Sequence, residues 1–405
     1  MRVAFVVSNL TYPPREGLHQ LTLLTAQIQI SRGDEVHLLG FCRDLEKLDI
    51  ERMANETGLR FHAPPIRSRL PSVMLGLVNR FVPTVLRGRA VRNLQAALSS
   101  DYDIVHLENT AACGLVRRGT SSRTILGLID PGPLRWRRLA ATASNFRFKL
   151  KARLGIVLND LLAKAIAFPG VRMQLVSETD ASYLQTRLTQ VRVVAIPIAL
   201  PMDIERPPSI DADSRTRQVG VVFMDLSQPY LRNSFIWFIR SVYRPLFSRG
   251  CSFDLVVLGR ISEDSELAKL CQDLPVTFLA WVDDYLALLA GADFIITPDL
   301  VGTGLKTRVI QGVALGRPVV GTPAAFEGIP ALNGVHAVIA NTADEMITAL
   351  ISLCDRPELR KTIGEKAQEL AIEKFGTESI KSLWRDLYDS VMDATKPSKS
   401  GHSRA

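Results

Sequence analysis

Two patterns of apolar and polar positions alternate along this chain. Short apolar runs rich in β-branched residues are each followed by a turn and a stretch with helical spacing. Val3–Val7 reads as a first strand, stopped by Asn9, Pro13 and Pro14. Helical periodicity follows over Leu21–Ile30, Gly33 and Asp34 punctuate, and Val36–Leu39 reads as a second strand. Further strands are predicted over Ile104–Leu107, Thr124–Ile129 and Met173–Val176. A second series begins near residue 218: Val219–Phe223, a helix from Ser234 to Phe247, then Phe253–Leu258, Val276–Leu279, Phe294–Thr297, Pro318–Gly321 and Ala337–Ile339. Between the series, Pro197–Ser214 holds Pro201, Pro207 and Pro208 and reads as a linker. Phe375–Val391 is predicted as a last helix, and the polar tail beyond it as disordered. Strands alternating with helices predict α/β domains with parallel sheets, and two series predict two doubly wound domains facing a cleft.

Composition narrows the class. The chain has 405 residues, 47% apolar and 22% charged, which suits two well-buried domains and excludes general disorder and a disulfide-stapled mini-protein. The five cysteines are scattered, and neither they nor the six histidines show metal-ligand spacing. The apolar run near the N-terminus is too short for a signal peptide, and no uncharged run approaches the roughly 18–20 residues needed to span a bilayer. These features predict a cytoplasmic protein.

Pro298–Thr322 is the most informative stretch. A strand ends at Thr297, a loop carries Gly302 and Gly304, a helix starts near Lys306, and Gly316 stops it before the next strand. Glycines let a ligand approach the backbone, and unpaired amides at a helix start attract an anion. Lys306 and Arg308 add positive charge. Taken alone, the same residues suit a solvated loop with two surface cations equally well.

The surrounding residues distinguish these readings. Phe223, Pro229, Asn233 and Trp237-Phe238, then Val257–Arg260, Trp281–Asp284, Ala292-Asp293, Gly316–Thr322 and Glu327–Ile329 follow one another in a familiar order. The first half adds Pro13–Gly17, Arg32–Val36, Tyr102–His106, Asp130 and Ser177–Asp180. In these motifs the chain resembles the retaining family 4 (group 1) glycosyltransferases, which have the GT-B fold. The resemblance implies an acceptor domain at residues 1–200, a linker at 201–217, a nucleotide-sugar domain at 218–375, a helix at 376–393 packing back on the first domain, and a disordered tail at 394–405. It implies transfer of a sugar from a nucleoside diphosphate sugar to an acceptor hydroxyl with retention, in polysaccharide, glycolipid or glycosylated natural-product synthesis. By position, Gly17, Gly302, Thr303 and Gly304 would border the diphosphate and sugar. Lys306, Arg308 or Arg232 would neutralise the leaving phosphate, and the backbone near Trp281 and Val282 would meet the base. Arg260 joins the donor-side set. The family often has two glutamates where this chain has Thr303 and Gln311. Gln311 can still bond the ribose hydroxyls, as a neutral group, with about 1 kcal/mol less affinity. The rival implied by those replacements is a catalytically degenerate glycosyltransferase-like subunit that binds a glycan or a protein partner.

Other candidates are read from position. Asp130 follows an apolar strand and could bind an acceptor hydroxyl. His106 is either a polar group near the acceptor or a satisfied strand-end histidine. Glu327 either touches the donor sugar or serves a turn, and Ser177 with Glu178 and Asp180 caps a helix or contributes a site. The acid pairs Asp101/Asp103 and Asp211/Asp213 read as solvated turns, so no metal or other cofactor is expected beyond the co-substrate. Charge is uneven: residues 117–153 hold ten basic side chains and one acid, Asp130, with Trp136, Phe146 and Phe148 interleaved. Arg67, Arg69, Arg80, Arg87, Arg89 and Arg92 form a second basic set. An anionic membrane surface is therefore a candidate partner, with peripheral attachment at its inner face. Nucleic acid is not expected, because no recognition motif accompanies the charge.

Overall fold

The computed structural model describes residues 1–8, 10–12, 17–42, 48–61, 66–67, 73–74, 77, 98, 102–141, 146–200, 217–251, 253–260, 265–301 and 304–395. The chain divides into two units, Met1–Ala199 with Glu378–Ala405, and Leu200–Thr377. Of the expected linker only residues 197–200 and 217 are described; the rest of it and the tail beyond residue 395 lie outside the described residues, as does nearly all of the second basic set. Residues 394 and 395, expected in the tail, still belong to the last helix, Thr377–Thr395.

In the first unit the strands are β1 (Arg2–Ser8), β2 (Glu35–Cys42), β3 (Arg60–Phe61), β4 (Ile66–Arg67), β5 (Ile104–Glu108), β6 (Thr124–Gly127), β7 (Arg172–Leu175) and β8 (Arg192–Ala195). They run in the order β3-β2-β1-β5-β6-β7-β8, with β4 also pairing β2. Every pairing is parallel, for example Val3 opposite Val36 on one side and opposite Ile104 on the other. A parallel strand covered on both faces must be apolar at nearly every position, and β1 is buried from Val3 to Ser8. One face packs Ala4 and Val6 with Leu107, Leu126 and Leu162. The other packs Val3, Phe5 and Leu38 with Ile380, Trp384, Leu387, Tyr388 and Val391 of helix Thr377–Thr395. Those five helix residues recur at three- and four-residue steps, which places them on one stripe.

The second unit holds β9 (Val219–Phe223), β10 (Asp254–Leu258), β11 (Val276–Leu279), β12 (Phe294–Thr297), β13 (Val319–Gly321) and β14 (Val338–Ile339). Their order, β11-β10-β9-β12-β13-β14, is again parallel throughout. The chain therefore reverses direction of travel across the sheet between β9 and β12. In such sheets ligands bind beyond the carboxyl ends of the strands at that switch point.

The two predicted α/β sheets are present, and differences are local. The strand expected over Thr124–Ile129 ends at Gly127, because Ile129 turns to φ 22° and its carbonyl accepts from Val176 N instead. The helix expected from Ser234 starts at Pro229, a residue suited to a first turn, and runs to Ser248 through one π-helical turn at Ile239–Tyr243. In the second unit, helix Pro357–Phe375 passes so close to the turn after helix Thr307–Ala314 that a Cβ on Gly364 would lie 2.1 Å from the Gly316 carbonyl oxygen.

Candidate functional site

The switch point of the second unit is built by the chain leaving β12. Asp299 follows two residues behind the strand and is fully buried. Its carboxylate pairs with Arg308, and its carbonyl accepts from the Thr322 hydroxyl beyond β13. One buried acid thus ties the loop both to the next helix and to the next strand. Leu300 N donates to Ser234 Oγ at 3.1 Å, which ties the same loop to the helix after β9. Asp299 Oδ2 and Arg308 Nε have no partner among the described residues.

Helix Thr307–Ala314 starts at this loop without a capping side chain: the Val309 and Ile310 amides donate to the Lys306 carbonyl at 2.9 and 3.2 Å, and those of Thr307 and Arg308 precede the helical bonding. Gly304 enters at φ 68°, a left-handed conformation that costs a side-chain-bearing residue about 1 kcal/mol. Lys306 occupies the N-cap position, is 7% exposed, and donates from Nζ to the Gly304 carbonyl at 2.8 Å. Gly302 and Thr303 lie outside the described residues.

One turn along, Gln311 is buried and donates from Nε2 to Tyr285 Oη at 2.9 Å. The Tyr285 ring packs on Phe223 at the end of β9, 5.5 Å between centroids. Tyr285 opens a short helix that Asp284 caps by accepting from Ala287 N at 2.9 Å. The segment before it carries Trp281, 73% exposed with its indole N–H 3.4 Å from Asp283, and half-buried Val282. Arg260 follows β10 and donates to Asp225 at 2.7 Å. Arg232 points at Glu266, 2.9 Å away, and Glu327 is half-buried in the turn after β13. The described loop thus links Gly304, Lys306, Arg308 and Gln311, with Tyr285 joining the Trp281 segment to them. Arg232 and Arg260 sit on flanking elements, each facing a carboxylate.

Gly17, His106 and Asp130 belong to the first unit. Gly17 is the first residue of helix Gly17–Ser31. Asp130 follows β6 in a turn and accepts from Arg135 at 3.4 Å. His106 is fully buried inside β5: Nε2 lies 3.0 Å from Glu108, Nδ1 lies 2.9 Å from Tyr388 Oη, and Phe5 and Trp384 cover the ring. Burial pushes the Tyr388 phenol well above its usual range, so it is a hydroxyl. The two ring nitrogens are thus each within hydrogen-bond reach of a buried side-chain oxygen. This histidine is satisfied by side chains rather than by backbone, and it is enclosed rather than presented to a ligand. Ser177 Oγ accepts from Asp180 N at 3.2 Å, the capping arrangement. Among the described residues no three His, Cys, Asp or Glu side chains gather as a metal site. Asp101, Asp211 and Asp213 lie outside them.

Sequence reasoning assigned no role to Asp299 or Tyr285. An acid just past a strand that precedes a Gly-rich loop is a weak cue, and nothing in spacing announces that Tyr285 reaches Gln311.

Residues 223–356 match the family model for glycosyl transferases group 1. That match lies within the second unit. The matched segment runs from the end of β9 past β14 and contains Arg232, Arg260, Trp281, Val282, Gly304, Lys306, Arg308, Gln311 and Glu327. The chain is similar to the uncharacterized glycosyltransferase MJ1178 of Methanocaldococcus jannaschii, 25% identical over 113 residues, which are 27% of this chain and 32% of that protein. The match therefore spans about a third of that relative's length. Among solved structures, sucrose-phosphate synthase (tll1590) from Thermosynechococcus elongatus shares the fold with a TM-score of 0.70 at 15% identity, over 98% of this chain and 100% of that one. Anabaena Alr3699/HepE in complex with UDP matches with a TM-score of 0.69 at 14% identity, over 96% and 100%. The fold is GT-B, two parallel-sheet α/β domains.

Proposed function

We propose that this chain is a glycosyltransferase that moves a sugar from a nucleoside diphosphate donor to an acceptor hydroxyl with retention of anomeric configuration and without a metal. The observation that carries the reading is the start of helix Thr307–Ala314: uncapped amides, buried Lys306 and left-handed Gly304 at the switch point of the second unit. HepE, which shares the fold, is solved with UDP, and that supports a nucleoside diphosphate as the donor tail here.

The diphosphate rests on the helix-start amides and Lys306. Arg308 stands beside it, held by Asp299. Gln311 bonds the ribose, Arg260 and Glu327 complete the donor side, and the Trp281–Val282 segment borders the base. In the first unit, Gly17 and Asp130 are assigned to the diphosphate and the acceptor by the family resemblance. The acceptor oxygen bonds to the anomeric carbon on the face that the leaving group departs. The bond from that carbon to the β-phosphate oxygen breaks, and that oxygen takes the acceptor proton. Charge therefore gathers on the leaving diphosphate, where fixed donors lower the barrier most. Products would belong to polysaccharide, glycolipid or natural-product synthesis. The basic excess of residues 117–153 supports work at an anionic surface on the cytoplasmic side.

Thermal-shift screening against UDP-, GDP- and ADP-sugars tests the reading. A true donor at 100 times its Kd stabilises the fold by about 2.7 kcal/mol. For a domain of this size that raises Tm by roughly 5–10 °C. Lys306→Ala is expected to lower kcat about 100-fold or more. A flat response to every nucleotide, or unchanged kinetics in Lys306→Ala, overturns the phosphate assignment and favours a non-catalytic binding subunit.

A further inference from the structure

Helix Phe146–Ile166 of the first unit has two apolar faces. The inner face holds Ala152, Gly155, Asn159, Leu162, Ala163 and Ile166, all buried. It packs on the unit's core and on helix Gly132–Ala141, where a Cβ on Gly155 would lie 2.5 Å from the Trp136 ring. The outer face is unusual for a surface. Phe146 is 77% exposed, Leu150 59%, Leu154 58%, Val157 62% and Leu161 49%. At about 100° per residue these five fall within an arc of roughly 80°, opposite the buried face. They make a straight stripe about 23 Å long.

Cations line both margins of the stripe. Arg147 and Lys151 lie on one side, Lys149 and Arg153 on the other, and all four are exposed. The nearest acid on the helix, Asp160, is paired with Lys164 at 2.8 Å. No described helix is long and apolar enough to cross a membrane. An apolar stripe between two rows of cations instead matches the boundary of an anionic bilayer, with acyl chains beneath the stripe and headgroups beside it. A second copy of the chain does not match, since stacking two such stripes would bring both rows of cations against their like.

We propose that helix Phe146–Ile166 lies in the plane of an anionic membrane surface, inserting Phe146, Leu150, Leu154, Val157 and Leu161 between headgroups that Arg147, Lys149, Lys151 and Arg153 neutralise. This deepens the surface-bound part of the proposed function. It stands or falls separately from the transferase reading, because vesicle binding reports the one and the nucleotide-induced thermal shift reports the other.

The test is co-sedimentation of the full chain with vesicles of phosphatidylcholine alone and with about one third phosphatidylglycerol. Binding is expected to the mixed vesicles only and to weaken strongly in molar salt. Each cation contributes about five-fold near such a surface, so Lys149→Gln with Lys151→Gln should weaken partitioning about 25-fold. Leu150→Ser with Leu154→Ser should weaken it at least about ten-fold with the charge intact. Both pairs lie on the exposed face, so unfolding midpoint and nucleotide response should stay native, and each pair checks the other if one folds poorly. The proposal is overturned by absence of binding to the mixed vesicles, or by equal binding to neutral ones. It is overturned equally if the leucine pair binds as the native chain does, or if light scattering shows that pair converting a dimer to a monomer.

Discussion

Replacing Arg308 with methionine separates a structural use of its charge from a ligand-binding one. In the structure the guanidinium is 17% exposed and the Asp299 carboxylate that it pairs with is 1% exposed. Removing the cation strands a carboxylate that water cannot reach, whereas methionine fills most of the same volume. Breaking a buried pair from one side costs about 3–5 kcal/mol. Partial exposure of the arginine argues for the lower end, about 3 kcal/mol. A domain the size of Leu200–Thr377 loses roughly 2–4 °C of Tm per kcal/mol, so Arg308→Met should melt roughly 6–12 °C below the native chain. Adding Asp299→Asn removes the stranded charge, and the double variant should recover most of that loss. The assay is thermal unfolding followed by circular dichroism on all four members of the cycle. A drop of less than about 2 °C in Arg308→Met, or a double variant melting below the single, would refute the argument that Asp299 is the anion this arginine serves.

Three further outcomes follow from packing and ionisation. Gly364→Ala, which in an open helix would gain up to about 1 kcal/mol, should instead destabilise by about 1–3 kcal/mol, since the new methyl meets the Gly316 carbonyl at 2.1 Å; a stabilised variant in urea unfolding would contradict this. Tyr388→Phe leaves buried His106 without its Nδ1 partner and should lose about 1–3 kcal/mol by the same measurement, while a neutral result would mean the bond is not made. Burial pushes the Cys354 thiol up to about 12, so the native thiol stays protonated while the unfolded one ionises near its ordinary value. Its contribution is therefore intact below about pH 8.5 and is lost as pH rises towards 12, and Cys354→Ala should flatten the alkaline fall of the urea midpoint; an unchanged slope would count against it.

The strands were legible because burial on both faces leaves a nearly unbroken apolar run, as in Val219–Phe223 and Phe294–Thr297, whose predicted and observed limits coincide. Local turn chemistry blurred only the ends. The run Thr124–Ile129 reads two residues longer than the strand because Leu128 and Ile129 are as apolar as a strand, and the backbone turn at Ile129 leaves no trace in composition. Helix Phe146–Ile166 read as a basic segment, since its two apolar faces conceal a helical period. The similarity of residues 223–356 to the group 1 glycosyl transferases was legible from motif order, which does not depend on folding.

By itself, then, the amino-acid sequence determined the alternation of strand and helix, the two series, and the Gly-rich turn with Lys306 and Arg308 at a helix start, because each is set by neighbours within a few residues. Only the tertiary structure decided which polar and charged groups face each other. It gave Arg308 to Asp299, Arg260 to Asp225, Gln311 to Tyr285 and His106 to Glu108 and Tyr388, the last partner 282 residues away. It also decided which side of helix Phe146–Ile166 meets solvent. Pairing and exposure depend on how strands far apart in the chain are ordered in a sheet, and no local pattern carries that order.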